Sequence, residues 1–274
     1  MHLKISHNTR YTYSSAVFLE PHYLYLYPSH RTYFKTLDYS LSISPDPSGK
    51  SLKQDPENNI YKQCWFEDML QELEIHLELE VSTEAFNPFE FFVEKWPVEE
   101  YPVLRPYLEV REKLGQQLFD WSHSFGIDPK EDPLRYLDQI CRETNRDWNH
   151  EIRYQNNLLE PSQCFKDKAG SCRDLSWMLI SILRTHGIPA RFVSGYAHNP
   201  ELLEGHELHA WLEAWLPGAG WIGLDPSAGL FTDHAYIPLC SSYDPAKTLP
   251  VQGTFRGEAN SSLEANVIIR ELDQ

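Results

Sequence analysis

No stretch of this 274-residue chain approaches the roughly 20 consecutive apolar residues that a membrane-spanning helix needs. Met1 to His7 lacks the apolar centre of a secretory leader and reads as the start of a strand, so a cytoplasmic location is expected. No two cysteines are spaced Cys-x-x-Cys, and their number is odd: Cys64, Cys141, Cys164, Cys172 and Cys240. Neither a zinc site nor a disulfide framework is expected from that pattern. Positive charge is short as well. With 24 Lys and Arg against 40 Asp and Glu, the formal net charge is −16. Such a surface repels nucleic-acid phosphate and anionic headgroups, which argues against nucleic-acid or membrane partners. Internal repeats and low-complexity tracts are absent too.

Aromatic residues and proline are plentiful. With 15 Tyr, 8 Trp and 19 Pro, the composition leans toward strands and ordered loops. The first hundred residues fit that reading. Thr9–Tyr13 and Tyr23–Tyr27 are aromatic-rich runs, Leu37–Ile43 alternates, and Leu73–Val81 alternates strictly, with one apolar and one acidic face. Turn-forming residues at Ser44–Gly49 and Asp55–Asn59 separate them. We expect an antiparallel, sandwich-like β domain over residues 1–100, its charged face meeting solvent. Phe86-Asn87-Pro88-Phe89 breaks the pattern, and Pro97, Pro102 and Pro106 mark a boundary near residues 95–105. A second domain is expected over 101–274. Its period is helical at Pro106–Ser124, and again after Asp132-Pro133, an N-cap with proline in the first turn.

In Gly170–Gly187 the apolar residues Leu175, Met178, Leu179, Ile182 and Leu183 recur at helical spacing, predicting a helix with a wide apolar face that ends at His186-Gly187. Cys172 stands at its start, where free N–H groups and the helix dipole favour a thiolate and could donate to an oxyanion. Gly170 there would let a substrate backbone approach. Ala190–Tyr196, Leu208–Leu216 and Trp221–Asp225 read as strands, the last two forming a hairpin around Pro217–Gly220. His209 begins one arm and Asp225 ends the other. They share a face only if Trp215 pairs with Trp221, so an odd-length loop or a bulge is required. Competing readings are weaker. His206 and His209 lack a third metal ligand nearby. Glu213 shares the face of His209 as a partner or a buried support. Asp174 suits the first helical turn, and Asp233-His234 is an alternative loop dyad.

Gly170-Ser171-Cys172-Arg173-Asp174, His209-Ala210-Trp211 and Gly220–Ser227, in that order, resemble the nucleophile, histidine and aspartate motifs of the transglutaminase-like superfamily. Thr9–Tyr13, Gln54-Asp55-Pro56, Phe86–Phe89, Tyr236–Leu239 and Val251-Gln252-Gly253 resemble its bacterial members, which carry a β-rich N-terminal region. The resemblance implies an α+β fold: a papain-like core in which a nucleophile helix packs on an antiparallel sheet. It implies a Cys172-His209-Asp225 triad attacking a peptide or protein amide through a thioester, as in a candidate cysteine protease, with no cofactor, metal or calcium site. Tyr154 and Gln155 stand where an oxyanion donor could sit, without a motif behind either. An amine-directed acyltransferase and a non-catalytic scaffold on the same core remain alternatives.

Overall fold

Alternating side chains build two long strands in the N-terminal region of the computed structural model, which describes residues 1–96, 101–153, 157–201 and 208–272. Strand β1 is His2–Leu19. It is followed by β2 (His22–Leu24), β3 (Phe34–Ser44), β4 (Gly49–Gln54), β5 (Ile60–Trp65) and β6 (Met69–Thr83). On β6, Leu73, Ile75, Leu77, Leu79 and Val81 are all buried, as a period of two requires. The acidic residues between them do more than meet solvent. Arg10 on β1 lies opposite Glu74 and bonds it at 3.1 Å, while Lys4 lies 3.7 and 3.8 Å from Glu78 and Glu80. These side chains are exposed enough for solvent to screen them, so the pairs add little to stability. Their effect is to relieve like-charge repulsion along an acidic strand.

The helix expected over Pro106–Ser124 is two pieces instead: a 3-10 turn at Pro102–Leu108 and helix α1 at Gln116–His123. Pro106 lies inside the first and has no N–H to extend a ladder, and Gly115 caps the second in an extended conformation. Helix α2 (Pro133–Asp147) starts as predicted, with the Asp132 carboxylate accepting from the Arg135 N–H. Then come β7 (Asn149–His150), α3 (Pro161–Asp167), β8 (Ala169–Gly170) and α4 (Cys172–Thr185). The chain next forms β9 (Ala190–Ala197), β10 (His209–Leu216), β11 (Gly220–Asp225), β12 (Leu230–Phe231) and β13 (Tyr236–Ser242). These five strands make one antiparallel sheet, ordered β12-β11-β10-β9-β13. Helix α4 packs on β9 and β10 with one side and against α2 and α3 with the other. It is therefore buried all round from Asp174 to Arg184 rather than along one face. Arg184 is tolerated there because its guanidinium donates to the carbonyls of Ala190, Tyr243 and Glu109.

The tail departs from the expected division into 1–100 and 101–274. Strands β14 (Val251–Gln252), β15 (Phe255–Arg256) and β16 (Ser261–Glu271) return to the N-terminal sheets. β16 pairs with β1 from Leu3 opposite Glu271 to Tyr13 opposite Ser261, and β14 pairs with β2. One sheet is thus β15-β1-β6-β3 with β16 also on β1, and the other is β14-β2-β5-β4; both contribute to one apolar core. Tyr196, Ile237 and Leu239 of the five-stranded sheet are buried in that same core. Hydrogen bonds cross as well: His7 Nδ1 meets the Tyr196 hydroxyl at 2.8 Å, and the Tyr33 hydroxyl donates to the Tyr236 carbonyl at 2.7 Å. The architecture is α+β and rich in antiparallel sheet. Among the described residues no helix is long and apolar enough to cross a membrane.

Candidate active site

The start of α4 is fixed by a buried carboxylate. Ser171 and Asp174 form a reciprocal capping box, which satisfies N–H groups that the first helical turn leaves free. Asp174, fully buried, also accepts from Arg153 at 2.6 Å and from the Leu159 N–H at 2.8 Å. Burial opposes its charge, but these bonds outweigh burial and hold the carboxyl below its ordinary range. The role is structural: it ties the preceding loop to the helix on which Cys172 is the first residue. Gly170 is buried and serves the same packing. A Cβ there would lie 2.9 Å from Asp174 Cβ and 3.2 Å from Cys164 Sγ. Gly170→Ala is accordingly expected to cost about 1–3 kcal/mol of stability by overcrowding. Urea unfolding measures this, and an unchanged midpoint would contradict it.

The hairpin has the register that a shared face needs. Trp215 pairs with Trp221 and Leu216 with Gly220, leaving a three-residue loop. His209 and Asp225 then lie on one face, and His209 Nε2–H donates to Asp225 Oδ2 at 2.6 Å. Asp225 is buried and held on both oxygens. Tyr236 O–H donates to Oδ2 at 2.9 Å; Ser227 donates to Oδ1 from Oγ at 2.6 Å and from its N–H at 2.9 Å. Trp211, two residues after His209, packs edge-on against Tyr236 and so steadies that phenol. Burial disfavours the Asp225 charge, but His209 and these donors overcome it and hold the carboxyl at about 2. Burial likewise opposes charge on His209, while Asp225 and Cys172 raise it well above an ordinary imidazole.

Because Asp225 occupies Nε2, Nδ1 is the His209 nitrogen left to face Cys172, which is partly exposed. Two imidazoles, His209 and His150, and the Ala210 N–H stand close enough to the thiol to act on its charge. Burial alone would push the thiol up; these neighbours and the His209 charge reverse that and bring it to about 6. The four other cysteines are buried, and burial pushes every one of them up, Cys164 to about 12.

Sequence reasoning did not find His150, Tyr236 or Ser227. His150 sits in a polar stretch with no periodic signal; only the parallel bridge of β7 to β8, His150 opposite Gly170, carries it to the nucleophile. Ser227 had a readable cue, a hydroxyl two residues after an aspartate. Of the competing candidates, Glu213 turns to Arg31 and Arg191 rather than to His209. Asp233 and His234 form a loose surface pair at 3.8 Å. His206, Tyr154 and Gln155 lie outside the described residues.

Two cavities meet at His209. A groove of about 630 Å³ runs past Cys172, His150 and His209, with Tyr11, Tyr13 and Leu263 of the N-terminal sheet on its far wall. A smaller, mainly apolar pocket of about 340 Å³, with Trp177, Phe192 and Leu249 among its walls, opens on the other side of His209.

Comparison with known proteins accords with this arrangement. Residues 124–226 match the transglutaminase-like superfamily core, and residues 3–82 match the bacterial transglutaminase-like N-terminal region. An uncharacterised protein of Mycobacterium tuberculosis is 23% identical over 295 residues, covering 96% of this chain and 91% of that one. An uncharacterised protein of Mycobacterium leprae is 32% identical over 109 residues, 38% of each chain. A protein-glutamine gamma-glutamyltransferase of Pseudomonas aeruginosa is 37% identical over 70 residues, 23% of this chain and 10% of that one. The crystal structure of a candidate cysteine protease from Cytophaga hutchinsonii shares the fold, with a TM-score of 0.75 at 19% identity, over 100% of this chain and 92% of the other. The chain belongs to the transglutaminase-like superfamily, in the bacterial form whose core is preceded by a β-rich N-terminal region.

Proposed function

We propose that the protein is a cysteine-dependent amide hydrolase acting on peptide or protein substrates through a thioester. One observation carries the reading: a thiol at a helix start stands beside an imidazole that a buried carboxylate holds by a hydrogen bond. In this reading the Cys172 thiolate attacks the amide carbon, and the C=O electron pair moves onto oxygen. The tetrahedral species collapses as His209 Nδ1 gives its proton to the leaving amine. Water, deprotonated by the now neutral His209, then releases the acid. Asp225 keeps the imidazole oriented throughout. The long groove suits an extended chain, and the names borne by the Cytophaga and Pseudomonas proteins both denote acyl transfer from an amide. If an amine replaces water in the last step, the same site transfers the acyl group; partition of a labelled thioester between hydrolysis and aminolysis decides between them.

Iodoacetamide labelling of all five cysteines, mapped by mass spectrometry from pH 5 to 9, tests the reading. The Cys172 profile is expected to have its midpoint near 6 in wild type, and to move up toward an ordinary thiol, about 8.5, in His209→Ala. The midpoint is the readout rather than the rate at pH 7, because a thiolate of lower pKa is intrinsically less nucleophilic and offsets much of its larger population. A wild-type midpoint above 8, unchanged by His209→Ala, would refute the activated nucleophile.

A further inference from the structure

We propose that His150 is a second catalytic histidine, which donates its N–H to the carbonyl oxygen of the substrate as Cys172 attacks. This deepens the hydrolase reading and rests on it. Strand β7 is held to β8 by Asn149 N–H to the Lys168 carbonyl and Glu151 N–H to the Gly170 carbonyl, both 2.9 Å, so the residue is placed by backbone bonds opposite Gly170, two positions before the nucleophile. Its side chain lines the same groove as the Cys172 thiol and His209 and stands close enough to the thiol to interact with it. The other imidazole is committed elsewhere: His209 holds Asp225 and, in the hydrolase reading, carries the proton destined for the leaving amine.

The chemistry of the step gives His150 its task. When the C–S bond forms, sulfur loses its negative charge, and the donor facing it loses its acceptor. The same electron flow places a negative charge on the oxygen bonded to that carbon. An N–H already aimed into this space from the groove wall can follow the charge from sulfur to oxygen without giving up its proton. On collapse the oxygen returns to a carbonyl, and the His150 proton stays on its nitrogen. Preorganised donors of this kind stabilise the transition state more than the ground state. Tyr154 and Gln155, the positions considered from sequence, lie outside the described residues.

The test uses the whole chain and two small probes. Acylation of Cys172 by p-nitrophenyl acetate forms an oxyanion and expels p-nitrophenolate, which needs no proton from His209. Alkylation by iodoacetamide displaces iodide and forms no oxyanion. At pH 9, where the thiolate is present in each protein, His150→Phe is expected to slow acylation on the order of a hundredfold, while alkylation does not fall. His150→Gln, which keeps an N–H donor, is expected to recover much of the acylation rate. Parallel loss of acylation and alkylation in His150→Phe would overturn the assignment, as would acylation equal to wild type. A wild-type protein that is alkylated with a low midpoint but never acylated would overturn the hydrolase reading itself, and this inference with it.

Discussion

Asparagine in place of Asp225 is expected to lower steady-state turnover of p-nitrophenyl acetate by about ten-thousandfold. The substitution keeps an oxygen for Ser227 and Ala228, which bond Oδ1, so the turn after β11 is preserved. What changes is the atom facing His209 Nε2. An amide NH2 there demands that Nε2 accept, which forces the ring proton onto Nδ1 and removes the counter-charge from any imidazolium. The Cys172 alkylation midpoint should therefore rise from about 6 toward the ordinary range, with the urea midpoint little changed. Turnover within about tenfold of wild type would show that Asp225 supports the turn and not the chemistry.

The largest effect on stability is expected at Glu213. Its carboxylate is buried and bonds Arg31 at 2.8 Å and Arg191 at 2.6 Å. Glu213→Ala leaves two guanidinium groups together with no counter-charge, a loss of about 3–5 kcal/mol at neutral pH. Burial works against the Glu213 charge, but Arg191 and Arg31 overcome it and hold the carboxyl at about 2. A folded-state pKa below the unfolded value stabilises the protein above about pH 4.3, and that stability is lost as pH falls toward the folded value. The gap between wild type and Glu213→Ala in urea unfolding should accordingly be wide at pH 7 and narrower at pH 3. An equal gap at both would mean that Glu213 acts through packing alone.

The strongest sequence signals were those with a single physical reading. Alternation at Leu73–Val81 specifies a half-buried strand, and Asp132-Pro133 specifies a helix start; both occur where expected. The hairpin register could be deduced because only one pairing puts His209 and Asp225 on the same face, and that pairing is present. Local pattern fails where the cause is distant. Apolar spacing over Pro106–Ser124 is close to helical, yet the segment divides, because Pro106 and Gly115 interrupt its backbone. The partners of Glu213 come from another strand and from the N-terminal region, 22 and 182 residues away. His150 carries no periodicity, and its meeting with Cys172 depends on a two-residue parallel bridge that no single-sequence rule predicts.

The return of β16 to β1 has a consequence for synthesis. The groove beside Cys172 draws one wall from Tyr11 on β1 and another from Leu263 on β16. A ribosome makes the first of these early and the second only after the whole nucleophile helix and its hairpin have emerged, while earlier segments are already folding. Through that interval β1 has β6 on one edge and an open edge where β16 will lie. A nascent chain can therefore form the helix that bears Cys172 before the groove beside it is walled on both sides, and the groove is completed only with β16.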